Sequence, residues 1–231
     1  MKRSLKHYWS LGVVLAAGLF SIGQTALAGP AEIGLKITLR DCNYAQIEPE
    51  TLIRAEQEAA RIYRKIGVEV RWVDLPSLSE GKESELPHGQ PYDIQISILP
   101  HAMAERFGLG AESFGFAPGS GRDRRFAYVF YDRIDELAQR QLAAWANRSV
   151  SKGATTAQIL GAAIAHEVGH VLGLLSHSHT GIMRPKWDRN DLTDAAWERL
   201  LFAPGDAQVI RNELQIRQQA DLEVPKFEAS K

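Results

Sequence analysis

The sequence predicts an α+β fold in which four to five strands pack on an N-terminal helix and a central helix, with further helices at the C-terminus. Three observations support this prediction. Apolar and polar residues alternate in several short segments before residue 132, which is typical of strands. An amphipathic helical pattern separates the first two of these segments. A segment that is apolar on nearly every side follows the last one, as expected of a helix inside a domain.

The strand patterns and the first helix lie in the N-terminal half. Residues 49–65 carry apolar side chains at helical spacing, Pro49 suits a first helical turn and Gly67 ends the helix. The predicted strands are residues 33–39, 68–72, 94–98, 111–117 and 126–131. The last of these is apolar throughout, which indicates a strand covered on both faces.

Helices dominate the C-terminal half. Residues 132–147 are predicted to be helical, and Thr155 or Thr156 can cap the central helix, which runs to Gly173. Two more helices are predicted at residues 191–202 and 206–217, separated by a break at Pro204 and Gly205. The charged residues from about 218 onward are expected to form a frayed tail.

The first 28 residues resemble a secretory signal. Lys2, Arg3 and Lys6 precede an apolar run at residues 11–20, and Ala26 and Ala28 are small residues suited to cleavage after Ala28. The run is short for a membrane span of about 20 residues, although an uncleaved anchor is the alternative. We therefore expect a secreted or periplasmic protein, with residues 29–231 as a single domain and no stable membrane insertion after cleavage.

Composition narrows the functional classes. Without the three basic signal residues, 24 Lys and Arg residues face 28 Asp and Glu residues, so the mature chain carries a net charge of −4. No basic block is present, which makes a nucleic-acid partner a poor candidate. Cys42 is the single cysteine, so internal disulfides cannot support the fold, and we expect a packed or surface thiol.

The most informative motif begins at His166. His166 and His170 are four residues apart, so a helix places both imidazoles on one face, and Glu167 points beside them. This is the H-E-x-x-H arrangement of two zinc ligands and a carboxylate base. The competing interpretation is a helix with two surface or satisfied core histidines.

A catalytic zinc needs a third protein ligand and one open position. On a continuous helix, His177 would lie roughly 10 Å beyond His170, too far to share the ion. Gly173 can take the left-handed conformation that ends a helix and lets the chain fold back. We therefore predict one zinc per chain, with His177 as the favoured third ligand and His179 as the alternative.

This stretch resembles the metzincin zinc peptidases, whose pattern is H-E-x-x-H-x-x-G-x-x-H followed by a methionine turn. The positions that match directly are His166, Glu167, His170 and Gly173. Ser176 occupies the third histidine position, and His177 follows one residue later. Met183 fits the methionine of the turn. The similarity is greatest to secreted bacterial members with a shifted third histidine and a short turn.

The resemblance implies a zincin-like fold, with a twisted mixed sheet packed on the N-terminal and H-E-x-x-H helices, and zinc-dependent endopeptidase activity. Glu167 would take a proton from the attacking water and pass it to the leaving amine. Met183 would form an apolar floor beneath the metal. A peptide or protein substrate would pair with the strand at residues 111–117, beside a loop at 118–125.

Some alternatives stay open at this point. Arg122, Arg124 and Arg125 in that loop either favour acidic substrates or are simply solvated. The same zinc chemistry would suit an amidase that acts on cell-wall peptides. A non-catalytic exported binding module with a structural zinc is the third hypothesis, and it requires a fourth protein ligand.

Overall fold

The computed structural model describes residues 34–74, 92–110, 113–119, 124–145 and 153–223. The predicted signal segment, residues 75–91, the first two residues of the predicted strand at 111–117 and Arg122 lie outside this part of the chain. The strands are β1 Leu35–Asn43, β2 Val68–Asp74, β3 Asp93–Leu99, β4 Gly115–Phe116 and β5 Phe126–Phe130. The helices are α1 Pro49–Arg64, α2 His101–Ala104, α3 Tyr131–Trp145, α4 Thr156–Val171, α5 Arg189–Ala196 and α6 Pro204–Glu223, with a 3₁₀ turn at Glu105–Phe107.

The five strands form one mixed sheet in the order β2-β1-β3-β5-β4. The first four are parallel, with Leu35 opposite Val68 at the start of the β1–β2 pair. The short strand β4 runs antiparallel to β5, which places Gly115 opposite Val129. The predicted fold class is therefore confirmed, and β4 is an edge strand of this sheet.

Helices α1 and α4 pack against each other over the buried side of the sheet. A methyl group on Gly161 would lie 2.5 Å from the carbonyl oxygen of Ala55, so glycine is what permits this close approach. The Tyr63 hydroxyl donates a 3.0 Å hydrogen bond to the carbonyl of Ala165. These contacts hold α4 against α1, and the hydrogen bond from Tyr63 does so at the residue before His166. The strand residues buried beneath the helices include Ile37, Leu39, Ile94, Ile96 and Ile98.

Strand β5 is covered on both faces over only part of its length. Phe130 is buried, but Phe126 is 43% exposed, so the prediction of a strand buried throughout is wrong at its first residue. The reason lies in the 3₁₀ turn, which the sequence did not predict. Its Phe107 ring packs at 5.4 Å from Tyr128 and 6.3 Å from Phe130. The aromatic cover thus lies over the end of the strand.

The C-terminal helix boundaries differ from the predicted ones. Helix α5 begins one residue after Asp188, whose side chain accepts from the backbone N–H groups of Asn190 and Asp191. It ends at Ala196, six residues early. Pro204 opens α6, because its missing N–H is harmless in a first turn, and α6 continues to Glu223, past the predicted fraying at 218.

No helix among the described residues combines the length and the apolar character that crossing a membrane requires.

Cys42 is buried, and burial raises the pKa of its thiol. The thiol accepts a 3.6 Å contact from the Gln95 amide, so Cys42 is packed within the fold.

Candidate metal centre

Helix α4 carries the motif and has a well-defined start. Thr155 accepts a hydrogen bond from the backbone N–H of Gln158, and the Gln158 side chain accepts from the N–H of Thr155. This reciprocal cap satisfies two of the donors that a helix start leaves unpaired. Almost every residue of the helix is buried, and of its two histidines His166 is buried and His170 is half-buried.

The imidazoles of His166 and His170 face each other with their Nε2 atoms 3.1 Å apart. Each Nδ1 lies against a backbone carbonyl, at 2.8 Å from Ile182 for His166 and 2.5 Å from Leu174 for His170. Because a carbonyl only accepts, each Nδ1 carries the hydrogen and each Nε2 presents a lone pair. Two nitrogens on a tetrahedral zinc lie about 3.3 Å apart, so the pair has the spacing of metal ligands.

Burial also sets the charge state of this pair. Desolvation lowers the pKa of His166 from its usual value to about 3, and it lowers the pKa of His170 as well. Both imidazoles are therefore neutral near pH 7. The neutral form is the one that binds a metal ion.

Helix α4 ends in a Schellman motif centred on Gly173. The N–H of Leu174 donates to the carbonyl of Gly169 at 3.1 Å, and that of Gly173 donates to the carbonyl of His170 at 3.3 Å. Gly173 has φ +97°, a conformation in which other residues are strained. The chain thus leaves the helix axis at the predicted residue, and it returns toward the histidine pair.

His177 lies beside the pair after this turn. Its ring centre is 5.2 Å from that of His166 and 5.0 Å from that of His170. One nitrogen from each of the three rings lies within 4.8 Å of the others, and His177 is exposed while His166 is buried. His179 is also exposed but lies outside this cluster. The structure therefore brings together the three histidines that the sequence favoured.

The chain that follows His177 is tied back to the helix through Ile182. Its N–H donates to the carbonyl of Leu201 at 2.9 Å, and its own carbonyl accepts from Trp187 Nε1 at 3.0 Å as well as from His166. Met183 is fully buried, and a methyl group on Gly169 would lie 3.1 Å from its sulfur. Met183 therefore packs on α4 next to His170.

Glu167 is buried at the base of the cleft. Its Oε2 atom has no hydrogen-bond partner within the described structure, and desolvation raises the pKa of the carboxyl group to about 8. Strand β4 passes very close, since a methyl group on Gly115 would lie 2.7 Å from Glu167 Cγ. A cation bound by the neighbouring imidazoles would favour the ionised carboxylate, so this group is suited to accept a proton beside a metal.

An open cleft of about 530 Å³ lies over the three histidines and Glu167. One wall is formed by residues 113–117, which include β4, and the other by Arg184, Pro185, Lys186 and Trp187. Tyr128 of β5 and Tyr131 at the start of α3 do not line it. The cleft is bounded by the predicted edge strand, and it is large enough for several side chains of a peptide.

Sequence reasoning did not identify Gly115 or Trp187 as parts of this site. A glycine inside a strand is a signal of close backbone approach, and Gly115 lies between two phenylalanines in such a strand. Trp187 gave no comparable signal. Its role follows from its bond to Ile182 and from its ring, which lies 6.1 Å from that of His166.

Comparisons with known proteins place these findings in context. No profile of a known protein family matches the chain, and no curated protein matches it in sequence. Similar solved structures include archaemetzincin from Methanopyrus kandleri, which is 15% identical with a TM-score of 0.44 and aligns over 80% of this chain and 99% of its own. Another is metalloproteinase-II from Bacteroides fragilis, 11% identical with a TM-score of 0.44, aligned over 80% of this chain and 55% of its own. Likenesses this distant do not assign a family.

Proposed function

We propose that this protein is an exported zinc-dependent endopeptidase of the metzincin type. The observation that carries the proposal is the cluster of His166, His170 and His177 at the floor of an open cleft, with the buried carboxyl group of Glu167 beside it. The proposal assigns one zinc ion to each chain. The three imidazoles are its ligands, and His179 is not.

The donor set fits zinc. The two helical imidazoles are neutral, their Nδ1 hydrogens are committed to backbone carbonyls and their Nε2 atoms converge. The cluster contains three members, and no fourth histidine, cysteine or carboxylate joins it among the described residues. A catalytic zinc has three protein ligands and an open position, whereas a structural zinc has four. The donor set therefore favours an enzyme over a binding module with a structural metal.

Zinc supplies Lewis-acid chemistry at such a site, because it polarises a carbonyl and makes a water molecule more acidic. Glu167 then acts as the general base. Its carboxylate takes a proton from the attacking water and delivers it to the nitrogen of the leaving amine. Burial raises the pKa of this carboxyl group and a bound cation would lower it, so the two effects together suit a group that accepts a proton and then releases it near neutral pH.

Strand β4 and Met183 complete the proposed site. The edge of β4 lines the cleft, so an extended peptide can pair with it as an added strand. Gly115 keeps this strand close to Glu167, which brings the scissile bond within reach of the base. Met183 packs beneath α4 and acts as an apolar floor. It donates nothing to the reaction.

The test begins with the purified protein. We expect one zinc per chain by elemental analysis, and cleavage of internal bonds in a random peptide library read by mass spectrometry. Chelation should abolish cleavage, and added zinc should restore it. Cleavage of peptidoglycan fragments but of no peptide would replace the endopeptidase with the amidase. Absence of stoichiometric zinc would contradict both.

Export is tested separately. The mature protein recovered from the periplasm or the medium is expected to begin at Gly29, which N-terminal sequencing would show. Retention of residues 1–28 in that protein would contradict the proposed cleavage.

A further inference from the structure

Arg124, two residues before strand β5, lines the cleft. Its Nη1 donates a 2.9 Å hydrogen bond to the carbonyl oxygen of His170, in the last turn of α4. The guanidinium group therefore lies beside the second histidine of the candidate metal centre. A half-buried arginine held at this point has a defined position and is not a freely moving surface side chain.

The backbone of Arg124 is also fixed. Arg217, which is buried on α6, donates through Nη1 to the Arg124 carbonyl at 3.2 Å and through Nη2 to the Val171 carbonyl at 2.7 Å. Helix α6 thus ties the wall that carries Arg124 to the end of α4. The side chain of Arg124 is bonded to α4 and its backbone is bonded to α6. These two contacts set the position of the guanidinium group relative to the histidines.

The charge of Arg124 is not compensated by a carboxylate in the described part of the chain, where it forms no ion pair. Its Nε atom is buried and has no acceptor among the described residues. Arg184 on the opposite wall differs, because it bonds to both Asp188 and Asp191. The charge of Arg184 is therefore balanced by two carboxylates, whereas no described carboxylate balances the charge of Arg124.

A structural role explains only part of this arrangement. A cation near the last carbonyls of a helix is favourable, which accounts for the bond from Nη1. That role does not use the positive charge that Arg124 presents to the cleft. It also places a positive charge next to a site that suits a divalent cation. Apart from Glu167, the remaining charged residues of the cleft, Arg124, Arg184 and Lys186, are all basic.

We infer that Arg124 binds a carboxylate of the substrate, so that the enzyme selects peptides with an acidic group near the scissile bond. This inference rests on the proposed peptidase function. The acidic group is either an Asp or Glu side chain or the free carboxylate at the end of a peptide. A guanidinium matches a carboxylate through parallel N–H donors, which makes arginine well suited to this recognition.

The experiment uses the zinc-loaded full chain and a ten-residue random peptide library with free or amidated C-termini. In the best substrates, each acidic residue is replaced by its amide, Asp by Asn or Glu by Gln. We expect at least one such replacement, or amidation of the terminus, to lower kcat/KM by about tenfold or more, as for the loss of a charge-assisted hydrogen bond. The side-chain and terminal arms show which carboxylate is bound.

Variants then connect this preference to Arg124. In Arg124→Gln, the ratio of kcat/KM between acidic and amide peptides should fall toward one, and Arg124→Lys should retain an intermediate ratio because it keeps the charge. Arg125→Gln removes the same charge from the adjacent residue, which does not line the cleft, and should keep the wild-type ratio. A purely structural Arg124 would change stability without changing this ratio.

A binding measurement separates this inference from the proposed function. Fluorescence anisotropy with zinc-loaded Glu167→Gln should show tighter binding of a labelled acidic peptide than of its amide, and Arg124→Gln in that background should remove the difference. If the wild-type enzyme cleaves no peptide, the proposed function fails while this binding test still applies. Equal affinity for acidic and amide peptides, or a preference that survives Arg124→Gln, would overturn the inference.

Discussion

The three histidines of the candidate metal centre are held in two different ways. His166 and His170 lie on a buried helix, and each Nδ1 is bonded to a backbone carbonyl. His177 lies on an exposed turn and forms no hydrogen bond with another described residue. Two of the proposed ligands thus have a fixed orientation without a metal, and the third is only brought near them.

The helical pair and His177 therefore differ in how much ordering they would need when a metal binds. The helix orients two nitrogens at metal-ligand spacing without help from the ion, so little ordering is needed when it binds. The turn is anchored at its ends, where Ser178 N–H donates to Met183 at 2.8 Å and the Ser178 hydroxyl bonds to Asp206 at 2.7 Å. His177 lies between the helix end and this anchor and is exposed, so we expect its ring to adjust when an ion binds. The proposed third ligand, which follows Ser176 by one residue, can therefore reach the ion.

The largest expected effect comes from removing one ligand of each kind. His166→Ala should lower zinc affinity by more than about 100-fold, because even the partners of ligands contribute 10- to 100-fold. His177→Ala should lower it less, since the ordered pair remains. Competition with a chelating dye measures both. His179→Ala is the control, and a loss of zinc in that variant, with His177→Ala unaffected, would reverse the assignment of the third ligand.

The next largest effect is expected on catalysis, from a change at Glu167 of helix α4. Glu167→Gln should reduce kcat for peptide cleavage by about 10²- to 10⁴-fold, because it removes the general base. Zinc content should stay at one per chain, since Glu167 is not a ligand. Metal analysis and initial rates on the same sample check the prediction. Full activity in the zinc-loaded variant would exclude the role of Glu167 as base.

A smaller effect tests the anchoring of the turn. Gly181 has φ +72°, and a methyl group there would lie 2.5 Å from the carbonyl oxygen of Leu201, so Gly181→Ala should destabilise the fold by about 1–3 kcal/mol in urea unfolding. Gly205→Ala is the matched control because nothing lies near its added methyl group. Equal stability of the two variants would show that the turn is not held as described.

The smallest effect concerns the hydrogen bond from Trp187 to Ile182. Trp187→Phe removes this donor but leaves the bond from His166 to the same carbonyl, so we expect a loss of about 0.5–1.5 kcal/mol of stability. Zinc affinity should change by less than about tenfold, the low end for groups that support ligands. Trp197→Phe, at a residue that is 55% exposed, serves as the control. A tenfold or greater loss of zinc would show that Trp187 orients His166.

The same contrast explains what the sequence could predict. The 3.6-residue period of a helix fixes His166 and His170 on one face, and a left-handed glycine can be inferred at Gly173 from residue type alone. The path after the glycine depends on contacts with distant residues such as Leu201 and Asp206. The sequence therefore left His179 open as an alternative to His177.

The same difference between local patterns and contacts of distant residues applies to the rest of the fold. Strands with clear alternation were predicted within a few residues, whereas α2 and the 3₁₀ turn are too short to leave a periodic signal. The closeness of Gly115 to Glu167 and the place of Trp187 in the cleft arise from packing between distant segments. A local pattern does not encode either contact.

The coordination shell of the bound metal tests the central claim most directly. Zinc-edge anomalous diffraction from crystals of the zinc-loaded protein should show one ion bonded to single nitrogens of His166, His170 and His177, with one further position not filled by the protein. A fourth protein ligand, a bond to His179 in place of His177, or no stoichiometric zinc would contradict this account.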